Sequence, residues 1–131
     1  MKALSIRQPW ADLILAGRKK YELRSRRTRF RGRILIHASS RIAQGDVIRA
    51  NLDRVLLLTG AIIGSVIITG CIPFTPEIAA ELYAVNCYHD KWQPGLFAWV
   101  LHAPMRFKEA LPWPGRLGFF EVPQSALNQT D

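Results

Sequence analysis

The stretch Ile62-Ile63-Gly64-Ser65-Val66-Ile67-Ile68-Thr69-Gly70-Cys71-Ile72 decides the fold class of this chain. Every second residue from Ile62 onward is apolar or glycine, whereas the intervening set includes a serine, a threonine and a cysteine. This period of two, rich in β-branched side chains, is typical of a β-strand with one buried face. Thr59-Gly60 before the stretch and Pro73 after it interrupt regular structure. We therefore predict a long buried strand here.

The wider segment from Val55 to Pro76 contains no charged residue and is long enough for a membrane helix. Its Gly60-Ala61-Ile62-Ile63-Gly64 also matches the GxxxG packing motif of such helices. A transmembrane helix is therefore the alternative, and the period of two favours the strand. No signal peptide is expected at the N-terminus, because Arg7, Gln8 and Asp12 interrupt its apolar residues.

Five more strands and up to three helices are predicted around this stretch. The strands are Ala3–Ile6, Lys20–Ser25, Arg33–Ala38, Leu96–Leu101 and Gly118–Val122. The helices lie between Pro9 and Gly17, from Asp46 to Leu58 and from Thr75 to Tyr83, and Asn86–Gly95 is a predicted loop. Pro104, Pro112 and Pro114 are expected to interrupt the return to the last strand.

This order of elements predicts an α+β fold, a small mixed β-barrel with two to three flanking helices. The length of 131 residues fits one domain, which we expect to span residues 1–123. Residues 124–131 are predicted to form a polar tail with little to order them.

The positive charge of the chain is concentrated near its N-terminus. The formal net charge is +8, yet residues 1–33 alone carry +9, because eleven Lys and Arg side chains face only Asp12 and Glu22. This asymmetry suggests a polyanionic partner, with nucleic acid first and an acidic membrane surface second. A solvated face that only keeps the protein soluble is the alternative.

The motif Gly17-Arg18-Lys19-Lys20-Tyr21-Glu22-Leu23-Arg24 has the pattern G-x-K-x-x-E-x-R, where the first helix meets the second strand. Gly17 lets the backbone reverse sharply. Glu22 and Arg24 are two apart on a strand, so their side chains share a face and can pair. Lys19 lies in the adjacent turn. A carboxylate among cations is either a structural ion pair or a site where the acid orients or activates a ligand.

The chain resembles the ASCH domain family, whose fold is similar to that of PUA RNA-binding domains. The resemblance covers most of the chain and rests on residues 4–11 (LSIRQPWA), the G-x-K-x-x-E-x-R signature, Arg31-Gly32 with residues 36–39 (IHAS), residues 97–101 (FAWVL) and residues 115–122 (GRLGFFEV). It implies a small β-barrel with helices packed beside it. It also implies a cleft, lined by the signature residues, that receives RNA or a nucleotide.

The candidate ligand-binding residues follow from this resemblance and from the charge. Lys19, Glu22 and Arg24 match the signature residue by residue, and the preceding motif is expected on the same wall of the cleft. Arginines of the loop after the second strand suit phosphates, because a guanidinium grips phosphate oxygens. The full set is Arg7, Gln8, Trp10, Lys19, Glu22, Arg24, Arg26, Arg27, Arg29, Arg31 and His37. Trp10 is either a stacking platform or core, and His37 either opens onto the cleft or is a structural histidine.

The leading hypothesis is an RNA- or nucleotide-binding module, and an enzyme is the alternative. The resemblance includes amidohydrolases of N4-acetylcytidine, which use a signature Lys, a Thr three residues later and a distant Glu. This chain keeps Lys19 but has Glu22 at the Thr position, where a carboxylate is a poor replacement for a hydroxyl nucleophile. Lys19 and Glu22 remain the candidate catalytic residues of such a hydrolase or of a ribonuclease, with Glu77 and Glu81 as candidates for the distant Glu. A domain that binds an acidic protein is a third possibility.

No metal site or cofactor is predicted. Cys71, Cys87, His89 and His102 lack the close paired spacing of a zinc site. Two cysteines are too few for a disulfide scaffold, which favours a reducing, cytoplasmic setting.

Overall fold

The predicted strands are all present in the computed structural model, which describes residues 1–42, 57–85 and 91–127. The elements run in the order β1 (Lys2–Gln8), α1 (Trp10–Leu15), β2 (Tyr21–Arg24), β3 (Gly32–Ile42), β4 (Ala61–Pro73), α2 (Pro76–Ala84), β5 (Phe97–Pro112), β6 (Phe119–Glu121) and α3 (Gln124–Leu127). The helices predicted after Pro9 and at Thr75 are present. The predicted helix Asp46–Leu58 lies largely outside the described residues, and the predicted loop Asn86–Gly95 lies partly outside them.

Within the described residues, six strands form one mixed sheet in the order β2-β5-β4-β3-β1-β6, and with three short helices they make the predicted α+β fold. β1 pairs with β3 in parallel, with Ala3 opposite Leu35 and Gln8 opposite Ile42. The other neighbouring pairs are antiparallel. The parallel pair matters for the site, because it brings the carboxyl ends of β1 and β3 to the same edge of the sheet.

β4 is the strand predicted from the period-two pattern, and it lies between β3 and β5. Its glycine at position 64 belongs to close packing within the sheet rather than to a membrane helix. A Cβ there would clash with the Met105 carbonyl oxygen and come within 2.8 Å of the Leu15 methyl carbons. Among the helices formed by the described residues, none is long and apolar enough to cross a membrane.

The predicted closure of the sheet into a barrel is not confirmed. β2 and β6 are the two edge strands, and within the described residues they do not pair with each other. They have four and three residues, and each pairs along its length with one other neighbour, β2 with β5 and β6 with β1. Side chains bridge it instead: Arg24 Nη2 on β2 donates to the Ser5 carbonyl oxygen on β1 at 3.3 Å, and Trp99 on β5 stacks on Phe119 on β6 at 5.6 Å. We call this bridged gap the seam, and Arg24, which crosses it, lines two of the cavities described below.

β5 continues well past Leu101, where the strand was predicted to end. Pro104 does not stop it, because among the described strands only β4 pairs with β5 beyond Leu101, and a missing N–H is tolerated on the other edge. The register also shifts here: Ile67 pairs with His102 and Ser65 with Met105, so β5 carries one extra residue in a bulge. Pro112 does end the strand, as expected.

The C-terminal segment is more ordered than the predicted polar tail. Residues 124–127 form the short helix α3, and Leu127 is 4% exposed in a cluster with Ala3, Leu35 and Phe120. Leu127 and the neighbouring Ala126 pack this turn of helix against the sheet.

Candidate functional site

Among the described residues, a cleft of about 760 Å³ lies at the edge of the sheet where β1 and β3 end. We call it the arginine cleft, because four arginine side chains line it. The described residues in its wall are Ser5, Arg7, Arg24, His37, Ser39, Ser40, Arg41, Gly60 and residues 113–118. Besides cations, the wall offers serine hydroxyls and a glycine-containing loop, a combination that suits an anionic ligand with several oxygen atoms.

The parallel pairing of β1 and β3 explains why Arg7 and Arg41 share this cleft. Gln8 and Ile42, the residues that directly follow Arg7 and Arg41, lie opposite each other at the ends of the two strands. Arg7 and Arg41 are both exposed, so their charged ends are available to a ligand. Arg116 joins them in the wall of the cleft from the loop between β5 and β6.

Arg24 is fixed by Glu22, as the two-residue spacing on β2 predicts. Arg24 Nε donates to Glu22 Oε2 at 2.9 Å, and Nη2 lies 2.9 Å from the same oxygen in an ion pair. Nη2 also donates to the Ser5 carbonyl oxygen. Glu22 is buried and Arg24 is half-buried. The carboxylate therefore holds the guanidinium across the seam of the sheet, at the wall of the arginine cleft.

A second cavity, of about 510 Å³, lies on the other side of Arg24. We call it the aromatic cavity, because Trp99 and Phe119 form part of its wall. The other described residues in that wall are Leu4, residues 24–28, Leu117 and Gly118. Trp99 and Phe119 stack with an interplanar angle of 22°. Arg26 and Arg27, both exposed, bring two more cations to its rim.

Lys19 and Glu22 meet in a third and smaller space of about 210 Å³, the lysine cavity. Trp10, Leu23, Lys91, Gln93 and Leu96 complete its described wall. Lys19 is 2% exposed, and its backbone N–H donates to the Leu13 carbonyl oxygen in the turn that leaves α1. Gly17, at φ +77°, makes that turn possible, which explains the glycine of the signature.

Comparison with protein families decides what kind of domain this is. The family model of the ASCH domain matches residues 4–109, most of the chain. The chain belongs to the ASCH domain family. This match confirms the resemblance to the ASCH domain family that was seen in the sequence.

Solved ASCH structures have the same fold. The crystal structure of ASCH from Zymomonas mobilis has a TM-score of 0.65 and 11% identity, covering 98% of this chain and 91% of that chain. A tyrosine-to-phenylalanine variant of that protein gives 0.63 and 13%, with 98% and 94% covered. A serine-to-alanine variant gives 0.61 and 13%, with 98% and 92% covered. At these identities the likeness shows the fold alone. No curated protein is significantly similar to the chain.

Of the ligand-binding residues predicted for this ASCH domain, eight lie in the walls of the three cavities. Arg7, Arg24 and His37 line the arginine cleft, Arg24, Arg26 and Arg27 the aromatic cavity, and Trp10, Lys19 and Glu22 the lysine cavity. The signature is therefore divided between two sides of β2. Lys19 lies in the turn before β2 and lines only the lysine cavity of these three, together with Glu22, whereas Arg24 lines the arginine cleft and the aromatic cavity.

Gln8 has a structural position rather than one on a cleft wall. It is fully buried, and its Nε2 donates to Asp12 Oδ1 and to the Leu58 carbonyl oxygen, each at 2.9 Å. Its Oε1 accepts the Asp12 backbone N–H at 3.0 Å. Gln8 thus caps the first turn of α1, and all of these groups are satisfied inside the protein.

Arg29 and Arg31 lie in the exposed loop before β3, away from the described walls of the three cavities. Arg31 Nη1 donates to the carbonyl oxygens of Thr28 and Phe30, at 2.9 and 2.8 Å, and so closes its own loop. Of the predicted basic loop, only the first two arginines reach a described cavity wall.

His37 contacts the arginine cleft but is 2% exposed. Its Nε2 lies 2.6 Å from the Trp113 carbonyl oxygen and its Nδ1 lies 2.9 Å from Ser5 Oγ. A carbonyl oxygen only accepts, so Nε2 carries the proton. His37 therefore ties β3 to β1 and to the loop 113–118, and Gly115 fits over it because a Cβ there would come within 2.8 Å of His37 Cε1.

Arg41 and Arg116 are the site residues that the sequence did not reveal. Both lie outside the +9 segment, so the charge asymmetry did not point to them. A prediction that β1 and β3 pair in parallel would have placed Arg41 beside Arg7. Arg116 lies in one of the stretches that carry the ASCH resemblance, and that context was the available signal.

Two further chemical properties concern the described residues. Among them, no group of three or more His, Cys, Asp or Glu side chains could hold a metal ion. Burial, together with the hydrogen bond to Glu81 and its charge, raises the pKa of Tyr21 above its ordinary 10.0. The Tyr21 hydroxyl donates to Glu81 Oε2 at 3.0 Å and ties β2 to α2.

Proposed function

We propose that this ASCH domain binds RNA or a nucleotide, with phosphate groups in the arginine cleft. The observation that carries the proposal is Arg24, which Glu22 holds in the walls of both the arginine cleft and the aromatic cavity. A guanidinium fixed in this way is preorganised for phosphate oxygens, so little rotamer entropy is lost on binding. RNA binding, proposed for the ASCH family in general, agrees with this arrangement.

The shape and charge of the cleft favour a nucleic acid over the other polyanions considered. Arg7, Arg24, Arg41 and Arg116 converge on one concavity, whose volume of about 760 Å³ lies within the usual range of ligand pockets, about 300–1,000 Å³. A membrane surface is flat and would contact the rim alone. A phosphodiester chain can enter the cleft and place its charges beside the four guanidinium groups.

Salt dependence of RNA binding tests the proposal. If the four arginines each neutralise one phosphate, the log–log slope of affinity against salt is about −3 for a single strand, or about fiftyfold weaker binding in fourfold more salt. Fluorescence anisotropy with a labelled oligoribonucleotide measures this slope. Absent binding, or affinity that does not change with salt, would overturn the proposal.

Matched charge variants test whether the arginine cleft is the site that binds RNA. Arg7→Gln and Arg41→Gln each remove one cation from the arginine cleft and should each reduce the slope by about 0.7. Lys108→Gln removes one charge from an exposed position on β5 that lies outside the described walls of the cavities. It should leave the slope unchanged, so equal losses in all three variants would point to net charge and not to the cleft.

A hydrolase at the lysine cavity is the second candidate function. Lys19 and Glu22 are both buried and line the same cavity, an arrangement that can hold and polarise a polar substrate group. Its volume of about 210 Å³ is below the usual range of ligand pockets, which favours the binding function. Incubation with N4-acetylcytidine and with single-stranded RNA tests it, and turnover lost in both Lys19→Ala and Glu22→Gln would support it.

A further inference from the structure

Leu117 is a fully exposed leucine held at the boundary between two cavities. Its relative exposure is 100%, and it lines both the arginine cleft and the aromatic cavity, as do Arg24 and Gly118. A single exposed leucine is ordinary on a protein surface. Leu117 is distinguished by its position, at the boundary between the cationic arginine cleft and the aromatic cavity.

The loop that carries Leu117 is anchored rather than free. His37 Nε2 donates to the Trp113 carbonyl oxygen at 2.6 Å, and Gly115 packs over the imidazole. Gly118, at φ +66°, then turns the chain into β6. Leu117 thus projects from a loop fixed at both ends, as an inserting side chain must if it is to push other groups apart.

The aromatic cavity has the composition of a base-binding site. The half-buried ring of Phe119 lies in its wall and is supported from behind by the buried Trp99, on which it stacks. Arg26 lies at its rim, where a planar guanidinium can also stack on a base, and Arg27 lies there over the Phe97 ring. Its volume of about 510 Å³ exceeds the 210 Å³ of the lysine cavity. A nucleobase therefore has more room beside Trp99 than beside Lys19, where the signature alone had placed it.

We propose that the ligand is single-stranded RNA, that one base enters the aromatic cavity, and that Leu117 inserts between this base and its neighbour. The inference rests on the proposed function and specifies its substrate class. Arg24, common to both cavities, binds the phosphate that links the two separated nucleotides. Apolar side chains are known to act as wedges between successive bases, and a wedge requires at least two bases to separate.

The experiment compares Leu117→Ala with Met105→Ala, whose side chain is also exposed but lies outside the described walls of both cavities. A homopolymeric oligoribonucleotide removes the question of register. Leu117→Ala should weaken its binding about tenfold, the effect of losing roughly one stacking contact, and Met105→Ala should not change it. Neither substitution removes a buried contact, so both variants should keep the thermal stability of the wild type.

Two further ligands test whether Leu117 inserts between two bases or only contacts the ligand at the surface. A mononucleotide has no neighbouring base, so Leu117→Ala should leave its affinity unchanged. A 2-aminopurine-containing oligomer at saturating protein should show different base fluorescence with the wild type and with Leu117→Ala. RNA binding that Leu117→Ala does not weaken, or an equal loss for the mononucleotide, would overturn the wedge while leaving the proposed function intact. Absence of RNA binding by the wild type would overturn the proposed function itself.

Discussion

The Glu22 carboxylate accepts a hydrogen bond from Arg24 Nε at 2.9 Å on Oε2, and Arg24 Nη2 lies 2.9 Å from the same oxygen in an ion pair. The pair joins residues of one strand, yet its consequence crosses the sheet, because the same guanidinium donates to the Ser5 carbonyl oxygen on β1. The Glu22–Arg24 pair of the signature therefore connects β2 to β1 across the seam between the two edge strands. The pair also places the Arg24 guanidinium in the walls of both the arginine cleft and the aromatic cavity.

Glu22→Gln should weaken both the connection between β2 and β1 through Arg24 and the binding of the ligand. The amide still accepts one hydrogen bond but loses the charge, and the side chains of Glu22 and Arg24 are 11% and 30% exposed, so the pair is partly screened. We expect a loss of about 1–2 kcal/mol in the free energy of unfolding, less than for a fully buried pair. Urea unfolding measures it. RNA affinity should fall as well, because Arg24 is released.

A double-mutant cycle separates the pair from its surroundings. Glu22→Gln, Arg24→Gln and the double variant should give a coupling energy of about 1 kcal/mol. Additive effects of the two substitutions would show that Glu22 does not hold Arg24. In that case a different group would have to position the guanidinium.

Local patterns predicted most of the fold but not its seam. Alternation identified β4 and β2, and Pro9 with Gly17 bounded α1, because these signals depend on neighbours in the sequence. Barrel closure depends on contacts between distant segments. Within the described residues, β2 and β6 do not pair with each other, and side chains bridge the gap instead.

The site was predicted in part for the same reason. Arg24 and Glu22 share a strand face, so their spacing determines their pairing. Arg41 and Arg116 join the cleft only through the parallel β1–β3 register and the anchored loop 113–118, neither of which has a signal in the charge pattern. Gln8 looked like a cleft residue because of its neighbours, but alternation along β1 turns it inward.

Two glycines of β4 should respond differently to alanine. In Gly64→Ala the new methyl group meets the Met105 carbonyl oxygen and Leu15, and backbone cannot move aside cheaply. We expect a loss of about 3 kcal/mol or more in the free energy of unfolding. In Gly70→Ala the nearest atom is Val100 Cγ2 at 3.4 Å, so the change should lie within about 1 kcal/mol. Equal urea midpoints for the two variants would contradict the packing at position 64.

The interaction between Tyr21 and Glu81 should appear at alkaline pH. The pKa of Tyr21 is raised above 10.0 in the folded protein, first by burial and then by Glu81. The neutral phenol therefore stabilises the fold below the unfolded pKa of about 10, and this contribution is lost as the pH rises toward the folded pKa. Glu81→Gln removes the nearby negative charge, so the pKa of Tyr21 should fall toward its ordinary value.

Ultraviolet titration of tyrosine ionisation measures this shift. The absorbance step present in the wild type and absent in Tyr21→Phe belongs to Tyr21. That step should lie above pH 10.0 in the wild type and move down in Glu81→Gln. An unchanged step in Glu81→Gln would mean that burial alone sets the pKa.

His37→Leu should release the loop 113–118 from the sheet. Leucine fills the buried space but leaves the Trp113 carbonyl oxygen and the Ser5 hydroxyl without the imidazole, which costs about 2–4 kcal/mol in the free energy of unfolding. The loop contains Arg116, so trypsin should cleave after Arg116 faster in His37→Leu than in the wild type, and mass spectrometry identifies that cut. Ser5→Ala is the matched control, since it removes one hydrogen bond of His37 but keeps the bond to Trp113. Equal cleavage rates in the two variants would show that His37 does not anchor this loop.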